Sequence, residues 1–158
     1  MTIFAGHKVT AAELNSHFGI GTHVDDTQNA SRTTASTGYT PTLTGGVACA
    51  KAFIAPASGA VEIEWTMLGT VNVSTGFCYA TPELKTGSVI GSGTIIFGPD
   101  DNDSANWHGT PQERRSAHKR VTGLTPGASY HVGIVHKVAG SGGPVGTWSR
   151  KHLSVRAA

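Results

Sequence analysis

The closing quarter of the chain constrains its fold most. Residues 116–121 read Ser-Ala-His-Lys-Arg-Val, followed by Thr-Gly-Leu-Thr-Pro-Gly and then Ala-Ser-Tyr-His-Val-Gly-Ile-Val-His-Lys-Val. A Gly/Ser/Pro segment leads into Trp-Ser-Arg-Lys-His-Leu-Ser-Val-Arg. Short runs rich in β-branched and aromatic residues, separated by Gly/Pro turns, predict strand, turn, strand, loop, strand. That is the closing meander of an antiparallel β-sandwich, and it carries shape rather than chemistry.

The rest of the sequence fits the same class. Charged residues are 14% of the chain, and 21 of its 158 residues are glycine. Such a chain suits strands and turns better than long helices or disorder. Spacing of strand-like runs predicts about seven or eight strands, a sandwich of jelly-roll type. They fall at 47–54, 60–68, 73–81, 88–97 (broken by Gly91 and Gly93), 114–121, 129–138 and 147–155. In the second of these Val61, Ile63, Trp65 and Met67 share one face, and Glu62, Glu64 and Thr66 the other.

Residues 1–45 read differently and form a separate unit, with the sandwich at 46–158. Thr10-Ala-Ala-Glu13 has the form of a capping box, Leu14 and Phe18 lie one turn apart, and Gly19 is a stop. A helix of about two turns does not hold itself in water and must dock on something. Val9, Leu14 and Phe18 are its docking residues. Residues 22–46 then predict an extended polar arm, with Tyr39 and Leu43 as apolar anchors and room for one edge strand.

Net charge is +2 with histidine neutral, too little to argue for a nucleic-acid or anionic-membrane partner. No run approaches the roughly 20 apolar residues of a membrane span. The opening Met-Thr-Ile-Phe-Ala-Gly-His-Lys lacks a basic segment followed by a long apolar run, so no signal peptide is expected. Cys49 and Cys78 sit in apolar runs and read as buried thiols. A disulfide between them requires neighbouring strands, which the pattern leaves open.

Few residues suggest chemistry. Glu62 and Glu64 point the same way from one strand, as paired carboxylates do in glycoside hydrolysis, but also as any solvated strand face does. Asp100, Asp101 and Asp103 resemble a calcium loop without its central Gly and distal Glu. His131 and His136 lie five apart on one strand and face opposite sides. No nucleophile elbow or phosphate-binding loop is present. The reading is of a non-enzymatic protein with no cofactor and no metal. Arg114, Arg115, Lys119 and Arg120 form one basic cluster, suited either to an acidic partner or to protecting a strand edge. Trp107, inside a polar loop at 98–112, is a candidate contact with Arg114 and Arg115.

Two resemblances add to this. Leu124, Pro126, Gly127 and Tyr130 resemble the corner of fibronectin type III modules. Over nearly its whole length, the chain resembles virion proteins of tailed phages of actinobacteria. The shared features are Ala5-Gly-His-Lys-Val-Thr-Ala-Ala-Glu-Leu-Asn15, the Thr/Ser-rich stretch from Arg32, Pro56-Ala-Ser-Gly59, the Gly-Leu-Thr-Pro-Gly-x-x-Tyr turn, and Arg150-Lys-His-Leu-Ser-Val155. That resemblance implies a structural virion protein on the capsid surface, made in the host cytoplasm. It further implies a capsid decoration or head-fibre protein bound to the major capsid protein or other virion proteins, and a homo-oligomer, with a trimer favoured. The alternative is a tail or receptor-binding protein recognising a host surface glycan near Trp107 and the Asp100–Asp103 loop. A glycan-active enzyme using Glu62 and Glu64 ranks third.

Overall fold

The computed structural model describes residues 24–44 and 49–158. The expected helix at 10–18 and its residues Val9, Leu14 and Phe18 lie outside the described residues. Within them the chain forms ten strands. These are β1 (Val24–Gln28), β2 (Arg32–Thr34), β3 (Ala50–Ile54), β4 (Val61–Val71), β5 (Gly76–Thr86), β6 (Ile95–Phe97), β7 (Ala105–His108), β8 (Glu113–Val121), β9 (Ser129–Gly140) and β10 (Gly146–Ala157).

They make two antiparallel sheets. The first runs β1-β10-β4-β8, with β2 following β1 along β10; the second runs β3-β9-β5-β6, with β7 following β6 along β5. The chain changes sheet at six of the nine connections between the described strands, and the first and last of these strands lie side by side (Val24 opposite Val155). Two four-position sheets wound in this way are a jelly roll.

Alternation builds the core. Val61, Ile63, Trp65 and Met67 of β4 are fully buried, while Glu62, Glu64 and Thr66 between them are partly exposed. Facing them are Cys78, Ala80 and Leu84 of β5, and Val132, Ile134 and Val138 of β9. Each large aliphatic side chain so buried contributes about 1.5–3 kcal/mol.

Tryptophan packs on glycine at two places, between the sheets at Gly69 and along β10 at Gly146. A Cβ on Gly69 of β4 would sit 2.6 Å from the Trp107 ring, and one on Gly146 would strike the Trp148 ring. Both indoles occupy space that any other residue would fill. Two of the three tryptophans also bond across the core: Trp65 Nε1 donates to the Ala80 carbonyl (3.1 Å) and Trp107 Nε1 to the Glu113 carbonyl (2.8 Å).

The corner before β9 is tied as its sequence suggests. Leu124 is buried, Gly127 takes a positive φ, and the Tyr130 hydroxyl accepts the Thr125 N–H at 3.0 Å. Leu124 N–H donates to Gly59 O and Gly127 N–H to Ala55 O, so the two end turns are laced together.

Several details depart from the sequence reading. The arm is not separate from the sandwich: β1 and β2 pair with β10, and Thr40 forms a bridge to His136. A division at residue 45 therefore cuts through the first sheet. Leu43 is 3% exposed and belongs to the core, so it is not free to dock a partner. The expected strand at 88–97 shrinks to β6, because Gly87, Gly91 and Gly93 take positive φ and turn the chain. The polar loop after it contains β7. These additions account for ten strands where seven or eight were expected.

β10 carries a bulge. Ser149 faces Leu68 and His152 faces Thr66, so two residues oppose one. Arg150 has φ 46, unusual for a residue with a Cβ. The phase of the strand shifts there, and Lys151 turns inward to 1% exposure, its Nζ 3.4 Å from the Ala30 carbonyl.

Gly69→Ala should overpack the Trp107 site and lower stability by about 1–3 kcal/mol, read as a fall of several degrees in the thermal midpoint. Gly38→Ala, where a Cβ meets nothing within 4 Å, should leave the midpoint unchanged.

Candidate functional site

The acidic loop was the leading place for an ion, and its geometry sends the carboxylates apart. Asp101 receives Lys137 Nζ at 2.6 Å and the Tyr39 hydroxyl at 2.8 Å. Asp103 pairs with Lys119 at 2.6 Å. Asp100 Oδ1 accepts the Asn102 backbone N–H at 2.7 Å, an Asx turn. Among the described residues no group of three or more His, Cys, Asp or Glu is gathered to hold a metal. The loop is tied to β9, to β8 and to the stretch before residue 44. The hydrogen bond from Lys137 holds the Asp101 carboxyl below its usual range, and burial followed by the Asp101 hydrogen bond pushes the Tyr39 hydroxyl up. Tyr39 is thus held in place by the acidic loop and by Lys137 of β9.

Trp107 is 1% exposed and is corrected from surface contact to core. A signal was present: Ala105 and Trp107 are buried while Asn106 and His108 are exposed, a two-residue alternation hidden in a polar loop. Arg114 and Arg115 are exposed on the edge strand β8. They stand opposite Leu68 and Met67, so they project to opposite sides of the sheet rather than forming one patch. Arg115 is paired with Glu113 at 2.6 Å.

Glu62 and Glu64 lie on the outer face of the first sheet. Their cross-strand neighbours are Arg120 and Arg156 for Glu62, and His118 and Ser154 for Glu64. Arg156 approaches Glu64 at 3.5 Å. This is a charge-alternating solvated face of the kind that stabilises cross-strand pairs.

The outer face of the second sheet carries an aromatic strip. Phe77 and Tyr79 project from β5 with ring centroids 6.4 Å apart, and His108 of β7 lies 4.5 Å from Phe77. Lys137 Nζ stands 4.7 Å from the Tyr39 ring and 5.0 Å from Tyr79, a double cation–π contact. The sequence placed Phe77 and Tyr79 on one side; His108, Tyr39 and Lys137 join them only through pairings distant in the chain.

Inside, His131 and His136 face opposite ways, as their spacing requires. His131 holds the turn after β5. His136 lies in the core with its ring 4.8 Å from Trp148, and neither of its nitrogens has a hydrogen-bond partner. Burial, and then the nearby Lys151 ammonium, push the imidazole down to about 3. Cys49 and Cys78 are both buried and unbridged, and burial pushes the Cys78 thiol up to about 12.

Comparison with known proteins gives a fold. No family model and no curated protein matches the sequence. Among solved structures, the chain overlays on a protein of the infectious bursal disease virus particle with TM-score 0.53 and 13% identity, over 85% of this chain and 30% of that one. The Gx strain of the same virus gives TM-score 0.52 and 14% identity, over 85% and 31%. The chain resembles the jelly roll of a viral capsid protein and spans about a third of that protein's length.

Two outcomes follow from the buried groups. The unfolded chain takes up the His136 proton near pH 6.5, the native chain only near 3. Stability from this group is therefore complete above about pH 6.5 and is lost as pH falls toward 3. The urea midpoint should drop across that window, and His136→Leu should remove that part of the drop. A thiol reagent should label neither Cys49 nor Cys78 in the native protein and both in denaturant; native labelling would contradict their burial.

Proposed function

We propose that this chain is a non-enzymatic structural protein of a bacteriophage particle, a capsid decoration or head-fibre protein. The observation that carries this reading is the overlay of 85% of the chain on a viral particle protein. A jelly roll alone hosts many functions. The sequence resemblance to phage virion proteins supports the phage part of this reading. The segment before Val24, with Val9, Leu14 and Phe18, is the proposed attachment to the major capsid protein. The sandwich projects from it. Many copies on one shell multiply a weak individual contact through effective concentration.

A second reading, a tail or receptor-binding protein, draws on the aromatic strip. Phe77 is exposed, with Tyr79 and His108 beside it. Flat rings flanked by polar groups suit a sugar face. The glycan contact would then centre on Phe77 rather than on the buried Trp107. Loss of glycan-array binding in Phe77→Ala would support that reading.

Quantitative mass spectrometry of purified particles should find hundreds of copies per capsid; a handful would favour the tail, and none would remove both readings. Deleting residues 1–20 should leave a folded sandwich that no longer binds particles. Failure of the truncated chain to fold, or retained binding, would count against the attachment.

A further inference from the structure

A hollow of about 240 Å³ opens on the outer face of the second sheet. Val135 and Gly133 of β9 and Ala50 of β3 line it, and Ile90 of the turn after β5 forms one wall. Gly133 faces Ala50 across one ladder and Glu83 across the other. Glycine and alanine side by side leave room that larger side chains would fill. The hollow is separate from the aromatic strip, since Glu83 lies six residues along β5 from Phe77, about 20 Å at the rise of a strand.

The β5 side of the hollow is charged. Glu83 and Lys85 both line it and pair with each other at 2.6 Å. Each side chain is only 18% exposed, so most of the pair is out of water. Among the described residues neither has a further hydrogen-bond or ionic partner. An ionised carboxylate can accept several hydrogen bonds and an ammonium can donate several, so one contact leaves much of that capacity unused. A charge pair drawn this far from water is costly unless its remaining positions are filled, and the hollow is a space from which they can be filled.

This lining selects its occupant. A ligand with a full charge would compete for one member of the pair and leave the other uncompensated. A hydroxyl both donates and accepts. Two neighbouring hydroxyls can therefore give a hydrogen bond to Glu83 and take one from Lys85 without parting them. Val135, Ala50 and Ile90 are apolar and suit C–H groups, the usual mix of many apolar and few polar contacts in a ligand site.

The hollow is preformed. His131, 2% exposed, accepts the Gly91 N–H on Nε2 at 3.1 Å, so Nδ1 carries the proton and donates to the Gly87 carbonyl at 3.0 Å. Thr94 N–H donates to Thr86 Oγ1 at 2.9 Å. These bonds fix the turn that carries Ile90, and a fixed wall loses little entropy on binding.

We propose that this hollow binds one neutral sugar unit, with adjacent hydroxyls bonded to Glu83 and Lys85 and its C–H face on Val135, Ala50 and Ile90. The site goes beyond the receptor-binding reading and does not depend on the Phe77 contact.

NMR of the isotope-labelled full chain, titrated with glucose, galactose and N-acetylglucosamine, tests it. At least one should move the amide signals of Gly133, Val135 and Ile90 saturably, with a dissociation constant on the order of 1 mM. Glucuronate and protonated glucosamine should bind there at least about tenfold more weakly. Gly133→Leu, which fills the hollow, and Glu83→Gln, which removes the charged acceptor, should each abolish the saturable shifts, with folding checked by circular dichroism. The proposal is overturned if none of the neutral sugars binds, if either charged sugar binds as tightly, or if folded Glu83→Gln binds as the wild type does. Phe77-dependent binding on a glycan array, with these signals silent, would sink this site and leave the receptor-binding reading standing.

Discussion

Between the two sheets, the Trp107 indole of β7 lies on the bare backbone of β4 at Gly69. Gly69 and Gly146 stand where a side chain would displace Trp107 or Trp148. Trp107 comes from β7, Trp148 from β10 and Trp65 from β4, so the three rings draw together both sheets and the long loop. Interiors packed at this density admit few adjustments.

Most of the polar chemistry on this molecule is spent on the molecule itself. Lys137 joins Asp101, Tyr39 and Tyr79; Lys119 joins Asp103 and Phe97. Each of these links is individually modest at a surface. Together they convert a loop rich in Asp, Asn and Ser into a fixed part of the wall. What remains outward is an aromatic strip, a charge-alternating face and an aliphatic end.

The sequence was legible where one face of a strand is buried and the other is wet. Val61, Ile63, Trp65 and Met67 announce β4, and Val132, Ile134 and Val138 announce β9, because a period of two has one physical cause there. β1 and β2 carry Asp, Thr and Gln at a sheet edge, where backbone pairing with β10 supplies the order and the side chains give no apolar signal. The apolar run Val89, Ile90, Ile95, Ile96 misled for the converse reason: its residues are exposed, and the glycines among them turn the chain. The β10 bulge leaves no mark on the apolar pattern; at it the Arg150 N–H donates to the Asn29 carbonyl at 3.3 Å. The candidate contacts fared by the same rule, since Trp107 and Leu43 are placed by partners distant in the chain.

The pairing of Val24 with Val155 has a bearing on how the chain comes into being. β9 and β10 are the central strands of their sheets and are synthesised after every other described strand. Until they leave the ribosome, β4 and β8 have only each other, and β3 has no neighbour to bond. Neither sheet can be completed until those two strands have been made. The nascent chain must keep its apolar strands from other chains until then, and its contacts are then closed over long loops, which makes folding slow.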